Sequence, residues 1–437
     1  MRGAEKRAMF CLGFGETANV QMNGPDRYRA VLGLATPGPF SIQGAGLSLC
    51  GASFANGARV IGMRRFDRIL GFDSEGLTLD AESGITLGQL FSFLGPLQLQ
   101  VPVQPGYPGI TLGGCIAANV HGKNQFREGV FANIVEAISL FHPSHGVLRL
   151  DRSTHRDLFD LTCGGFGLTG VILSAKIRLS RISGGRVQII TRPVASLLAA
   201  VENLVTSHGE IDFCYTWHDG AWFGRNFGQG MIVLGRAIPG GVEVPEPWSD
   251  LNLSYSYPIK LFNRFTMPVV NSLFFYLKQK KTIDIKLFDA IFPFARQPHY
   301  FYAYGPEGFI EHQVIFSHEK SGQYLERFEA LCRLFRPTLG LLTMKLFKGT
   351  PRLLAFDGTG ISLAFHVARN TVASSFLRAV DALDIEEGAR ANIIKDARLP
   401  AHAVRAQYPE RDEFVVRLKE FDPKRIFESS LSQRLEL

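Results

Sequence analysis

Glycine sets the strongest constraint on this chain. Three glycine-rich segments interrupt the first 180 or so residues, each set among short runs of β-branched and aromatic residues. Glycine lacks a Cβ, so positive φ costs it nothing, and the N–H groups of a glycine turn can converge on one ligand. The first segment, Gly44-Ala45-Gly46-Leu47-Ser48-Leu49-Cys50-Gly51, follows Phe40-Ser41-Ile42-Gln43, which reads as a strand. Taken alone, it is either a tight turn or an anion cradle. The second runs from Pro105-Gly106 through Thr111-Leu112-Gly113-Gly114 to Ala117-Ala118-Asn119-Val120-His121-Gly122-Lys123-Asn124. It supplies hydroxyl and amide donors, small residues that let a flat ring lie close to the backbone, and then an imidazole and an amine.

The third segment, Gly165-Phe166-Gly167-Leu168-Thr169-Gly170, fits G-x-G-x-x-G. A nicotinamide fingerprint must follow a strand, open a helix and be answered by an acid ~20 residues on. Here a helical Arg156–Leu161 precedes it, a strand at Val171–Leu179 follows, and the residues near 190 are Ile189-Ile190-Thr191-Arg192. That order excludes a Rossmann site, and no Gly-Lys-Ser/Thr P-loop is present. Three glycine loops between short strands suit a long dinucleotide laid across a mixed α+β domain.

The remaining pattern extends this class. Val60–Met63, Leu77–Ala81 and Val147–Leu150 read as strands, and Thr86–Leu94 as a helix with Thr86 as its N-cap. From about residue 185 a second α+β unit begins. Its expected strands lie at Val187–Thr191, Phe213–Trp217, Gly230–Leu234, Gly308–Ser317 and Gly360–His366, and its helices at Val194–His208 and Gln323–Leu334. A late helix is expected at Glu410–Phe421. The length of 437 residues fits two to three domains, and 46% apolar with 20% charged residues excludes a disordered, collagenous or coiled-coil chain.

The net charge of +7 suits an anionic ligand or surface and does not by itself mark a nucleic-acid binder; none is expected as a partner. No two of the six cysteines are spaced C-x-x-C, which predicts free thiols in a reducing compartment. No apolar run reaches the ~18 residues of a membrane span, and residues 1–15 do not form a signal peptide, so a cytoplasmic location is expected. His142-Pro143-Ser144-His145 sits in an expected turn with no acidic third ligand, so no metal site is predicted. Phenylalanine is abundant, with 35 residues, many of them interleaved with lysine between Tyr255 and Phe309. That stretch is either a core-facing helix with a solvated basic side or a mobile flap that meets an anionic membrane.

Taken together, the segments resemble the vanillyl-alcohol oxidase/p-cresol methylhydroxylase flavoprotein superfamily. Within it they are similar to the decaprenylphosphoryl-β-D-ribose 2′-oxidase group, the oxidative half of the enzyme pair that epimerises polyprenyl-phosphoryl ribose. The residues carrying the resemblance are Gly44–Ser48, Pro105-Gly106, Thr111–Gly114, His121–Asn124, Gly164–Gly170, Tyr304-Gly305-Pro306, Gly308-Phe309, Gln313, Lys395-Asp396, Tyr408-Pro409, Asp422-Pro423 and Arg434-Leu435-Glu436. It implies an FAD domain of p-cresol methylhydroxylase type over residues 1–183, an inserted antiparallel-sheet substrate domain over 184–390, and a segment returning to the FAD domain over 391–437. FAD would lie on Ile42, Gln43, Gly44, Ala45, Gly46, Leu47, Ser48 and Leu49, then on Gly106, Thr111, Leu112, Gly113, Gly114, Ala118, Asn119, Val120, His121, Val171 and Asn392. Some relatives tether the flavin through a histidine in the first loop; residues 45–49 hold none, so non-covalent FAD is expected.

The resemblance assigns Lys395 and His121 to catalysis and Gln313, Lys123, Lys345 and Ser362 to the substrate. Lys395 is expected nearest the reacting hydroxyl, as a lysine whose proton affinity an apolar pocket lowers, with His121 as the competing base because imidazole titrates near neutrality. The implied reaction oxidises the 2′-hydroxyl of a polyprenyl-phosphoryl pentose at the inner face of a membrane, with a separate NAD(P)H-dependent reductase completing an epimerisation. An aldonolactone oxidase is the alternative. The chain departs from the family pattern at Leu49 (family Tyr), Asn119 (acid), Asn392 (Tyr), Ser362 (Cys) and Glu311 (Gln).

Overall fold

A computed structural model describes residues 5–10, 17–33, 38–207, 209, 211–223, 227–243, 248 and 250–437, with 5–10 described as backbone only. The first glycine loop leaves the strand Phe40–Gln43, which pairs in parallel with Arg59–Gly62. Residues that come much later close this sheet. Phe40 N–H donates to Ile426 O, Glu428 N–H to Phe40 O, and Leu431 N–H to Gly51 O. Beside it lies an antiparallel sheet in the order Ile69–Asp73, Thr78–Glu82, Val171–Arg178, Val135–His142, Gly146–Asp151. The helix Leu87–Leu94 packs Leu87, Leu90, Phe91 and Leu94 inward. Thr86 caps it through a reciprocal box, its Oγ1 accepting from Gln89 N–H while Gln89 Oε1 accepts from Thr86 N–H.

Two antiparallel sheets form the second half. One runs Phe213–His218, Gly230–Ile238, Arg186–Val194, Thr282–Lys286; the other runs Leu339–Phe347, Gly360–Ala368, Phe309–Phe316, Arg390–Ala391. They meet at Thr216, whose Oγ1 accepts from Met344 N–H at 3.0 Å. In the second sheet, one face buries Met344, Leu346, Leu363, Phe365 and Val314 against the helices Ser321–Phe335 and Thr371–Glu387. Strand geometry turns alternate residues to the opposite face, which carries Lys345, Ser362, His366, Glu311 and Gln313. Both sheets are antiparallel, as expected for the second half.

Differences from the sequence reading have local causes. The helix expected from Val194 begins at Leu197, because Val194 pairs with Gly230 and Ser196 Oγ accepts from Ala199 N–H to start the first turn. His208 lies outside the described residues. Between Tyr255 and Phe309 the chain forms the helices Thr266–Lys278, Leu287–Ile291 and Pro298–Tyr302 and the strand Thr282–Lys286. The 13-residue helix buries only Met267 and Asn271, so it is not core-facing. Cys115, Cys163, Cys214 and Cys332 are buried free thiols, Cys50 is buried as well, and Cys11 lies outside the described residues. Among the described residues, no helix is long and apolar enough to cross a membrane.

Behind the second sheet lies a buried ion cluster. His312 Nε2 is 2.9 Å from Asp384 and its Nδ1 is 3.0 Å from Asp396. Arg398 binds Asp381 at 2.8 Å and Asp396 at 2.9 Å, and Tyr324 donates to Asp384 at 2.6 Å. The grouping of His312, Asp381 and Asp384 is compact enough to suggest a cation site, but the imidazolium and guanidinium already balance these carboxylates. Burial alone would lower the proton affinity of His312; Asp384 and Asp396 outweigh it and hold the imidazole charged, with a pKa of about 10. The folded state therefore binds this proton more tightly than the unfolded chain. The resulting stability is present below about pH 6.5 and drains as pH rises toward 10. Melting curves from pH 6 to 10 should show this decline, whereas His312→Gln should start about 3–5 kcal/mol less stable, with a flatter slope.

Candidate functional site

The first glycine loop is a tight turn with open backbone donors. Gly46 has a φ of 71°, a conformation that side-chain-bearing residues avoid. Among the described residues, no protein acceptor takes the N–H groups of residues 45–49. A row of open donors in a tight turn is a fit for the phosphates of a dinucleotide. The second loop leans directly on it, since a Cβ at Gly44 would stand 2.2 Å from Thr111 Oγ1. Thr111 in turn caps the short helix Leu112–Ala117 by accepting from Gly114 N–H. Ile42 and Val171 belong to one apolar cluster beneath the loop, and Gly106 faces Pro293 and Phe294. Asn119 is turned away from any ligand role, because its Oδ1 accepts from Ala132 N–H.

The second loop ends against the front face of the second sheet. The His121 ring lies edge-on to Phe347, with centroids 4.9 Å apart, and beside Phe356. Gln313 binds it with Nε2 at 3.1 Å from His121 Nε2, binds Ser362 Oγ at 3.0 Å, and accepts from Asn392 Nδ2 at 2.9 Å. His121, Gln313, Ser362 and Asn392 thus form one hydrogen-bonded set, although His121 lies 192 positions before Gln313. Lys395 joins it on the turn after Asn392, with Nζ 3.3 Å from Glu311. Lys123 donates to Ala290 O and lies 4.8 Å over the Phe213 ring. Lys345, opposite Ser362 in the ladder, completes the set.

The electrostatics revise two expectations. Burial, reinforced by Lys345 and Lys395, drops His121 well below the ordinary imidazole value, so it does not titrate near neutrality. A neutral ring accepts the Gln313 amide hydrogen. The argument from an apolar pocket was made for Lys395, yet Lys395 is a third exposed and paired with a carboxylate. It applies instead to Lys123 and Lys345. Burial and Lys345 bring Lys123 down to about 7; burial and Lys395 bring Lys345 down to about 8. Sequence gave no strand signal for Leu339–Phe347, which carries Lys345. Nor did it show the partner of Glu311, His366, whose only mark was its place in an expected strand.

Residues 20–151 match the family described as FAD binding domain. This part of the chain is similar to that family, and the matched span includes the first two glycine loops. Across 431 residues it is 27% identical to the decaprenylphosphoryl-beta-D-ribose oxidase of Mycolicibacterium smegmatis, covering 94% of this chain and 92% of that protein. A D-lactate dehydrogenase of Anaerostipes hadrus matches at 27% over 38% of this chain and 34% of its own length. The L-gulonolactone oxidase 3 of Arabidopsis thaliana matches at 26% over 38% and 28%.

The contact between the two loops gives a direct test. In Gly44→Ala the new methyl displaces Thr111 and removes its cap, which is worth about 1 kcal/mol. Flavin retained per protein, read from the visible absorption of purified material, should fall severalfold, with little change in far-ultraviolet circular dichroism. Thr111→Ser, which keeps the cap, should retain it.

Proposed function

We propose that this protein is an FAD-dependent oxidoreductase acting on a secondary hydroxyl of an anionic sugar, namely the 2′-hydroxyl of a polyprenyl-phosphoryl pentose. The reaction is the first half of an epimerisation that a separate NAD(P)H-dependent reductase completes. The observation that carries this reading is the convergence of three lysines, Lys123, Lys345 and Lys395, on one polar set containing His121 and Gln313. FAD, held non-covalently by residues 42–49, 106, 111–114, 118, 120, 121, 171 and 392, supplies the hydride acceptor. Lys123 and Lys345 bind the anionic group. Their ammonium forms are disfavoured by burial, so a negative ligand restores the protons they shed. Gln313 and Ser362 orient the sugar hydroxyls, and Lys395 Nζ meets the reacting one.

The M. smegmatis match extends through the lysine-bearing sheet, whereas the gulonolactone oxidase match covers about a third of the chain. That coverage favours the phosphoryl sugar over the aldonolactone. Anaerobic mixing of the flavoprotein with a panel of polyprenyl-phosphoryl pentoses and aldonolactones decides between them by flavin bleaching. Lys395→Ala should stay folded and yellow but fail to bleach. Lys345→Met should raise the KM for the phosphoryl sugar about tenfold or more, the scale of a lost charged hydrogen bond. The wild-type KM should rise as pH passes 7 to 8 and the two buried amines lose charge. Bleaching by aldonolactones alone would exclude the phosphoryl-sugar reading.

A lipid-borne substrate calls for a membrane surface, and the helix Thr266–Lys278 offers one. Phe265 is 71% exposed, Val269 67%, Leu273 57% and Tyr276 75%. They form a stripe at helical spacing, flanked by Arg264, Lys278, Lys280 and Lys281. Large apolar side chains ringed by basic ones suit an anionic bilayer interface. The protein should co-sediment with phosphatidylglycerol vesicles in low salt and much less with phosphatidylcholine. Val269→Ser with Tyr276→Ser should abolish binding. Equal recovery with neutral vesicles, or none with anionic ones, would overturn the assignment and leave this face to the reductase.

A further inference from the structure

Glu311 stands where the family resemblance implies glutamine, and the structure builds a chain of donors around it. Its Oε1 lies 3.3 Å from Lys395 Nζ. Its Oε2 lies 3.0 Å from His366 Nε2, on the neighbouring strand. His366 Nδ1 lies 3.0 Å from the Tyr300 hydroxyl, and Tyr300 lies 3.1 Å from the Tyr304 hydroxyl. One assignment of hydrogens satisfies every link: Tyr304 donates to Tyr300, Tyr300 to His366 Nδ1, His366 Nε2–H to Glu311, and Lys395 to Glu311. The chain ends on a carboxylate that is itself buried.

Packing holds the chain in place. Tyr304 is fully buried with Leu49 and Phe309, so the last link rests on the first glycine loop. The Phe309 ring stacks on His366 with centroids 4.5 Å apart. Burial pushes the Glu311 carboxyl up, but Lys395 and His366 outweigh it and bring it down to about 2. The other charged or titratable groups facing this pair are Lys345 and His121. Lys345 repels the Lys395 ammonium, and the neutral His121 does not attract it. The carboxylate is therefore the group that compensates Lys395 on this face.

We propose that Glu311 is a positioning residue for the oxidation: it fixes the Lys395 amine at the reactive end of the pocket, while His366, Tyr300 and Tyr304 fix the carboxylate. A glutamine would fill the same space and accept a hydrogen bond, but it carries no charge to hold the ammonium. The inference rests on the redox reading of this pocket only for its kinetic consequence.

The test separates the two. Holoenzyme labelled with [13Cε]-lysine is observed by NMR, and the Lys395 signal is identified by its loss in Lys395→Arg. In Glu311→Gln the Lys395 signal should shift and broaden as the amine loses its anchor, and flavin content should stay unchanged. Glu311→Asp, which keeps the charge and shortens its reach, should show a smaller change, and it serves as the measured variant if the glutamine protein does not fold. With whichever panel compound bleaches the flavin, the bleaching rate of Glu311→Gln should fall about tenfold or more, with the KM changed much less. An unchanged Lys395 signal overturns the proposal whatever the substrate is. A changed signal with no bleaching compound supports it and counts only against the sugar reading.

Discussion

The strand Phe309–Phe316 is buried along its whole length on both faces, and its period of two assigns the chemistry. Even-numbered His312 points back into the ion cluster, where it holds Asp396. Odd-numbered Glu311 and Gln313 point forward and hold Lys395, Asn392 and His121. The segment from Asn392 to Asp396 therefore wraps the strand and is gripped from both sides. A slip of one residue in register would exchange the two sets and put an imidazolium in the pocket. The ladder with Gly360–Ala368, continuous over all eight residues of the strand, guards against that slip.

Much of the first half was legible because glycine and capping signals act locally. The strand Phe40–Gln43, the Thr86 cap and the refusal to read Gly165–Gly170 as a nicotinamide loop all follow from a few adjacent residues. The site itself was legible only through resemblance, since it joins loop residues near 121 to a sheet hundreds of positions on. Lys345 shows why. Leu339–Phe347 is an almost continuous apolar run, and nothing in such a run reveals which face its single lysine takes. The state of Lys395 was hidden for another reason. A carboxylate two residues before Gln313 is unremarkable in sequence, and only the fold brings it within reach of an amine 84 positions away.

The pocket sets charge against burial. Three amines at one site cannot all stay charged out of water, and the structure resolves the conflict unevenly. Lys395 keeps a carboxylate partner and partial exposure. Lys123 and Lys345 make no ion pair with a carboxylate among the described residues, and burial with the neighbouring amines brings their affinity for protons down toward neutrality. The polar set thus holds cationic capacity in reserve for an incoming anion. Across the same half of the molecule, the helix Thr266–Lys278 faces solvent with side chains that a core would normally cover.

The closure of the first sheet by later residues bears on biogenesis. Ser41 Oγ donates to Glu428 O, 387 positions on, and the turn at Gly51 is tied to Leu431. A nascent chain emerging from the ribosome cannot complete this lobe while those residues are still in the exit tunnel. The first glycine loop therefore reaches its final setting late, only once residues 426–431 have left the ribosome.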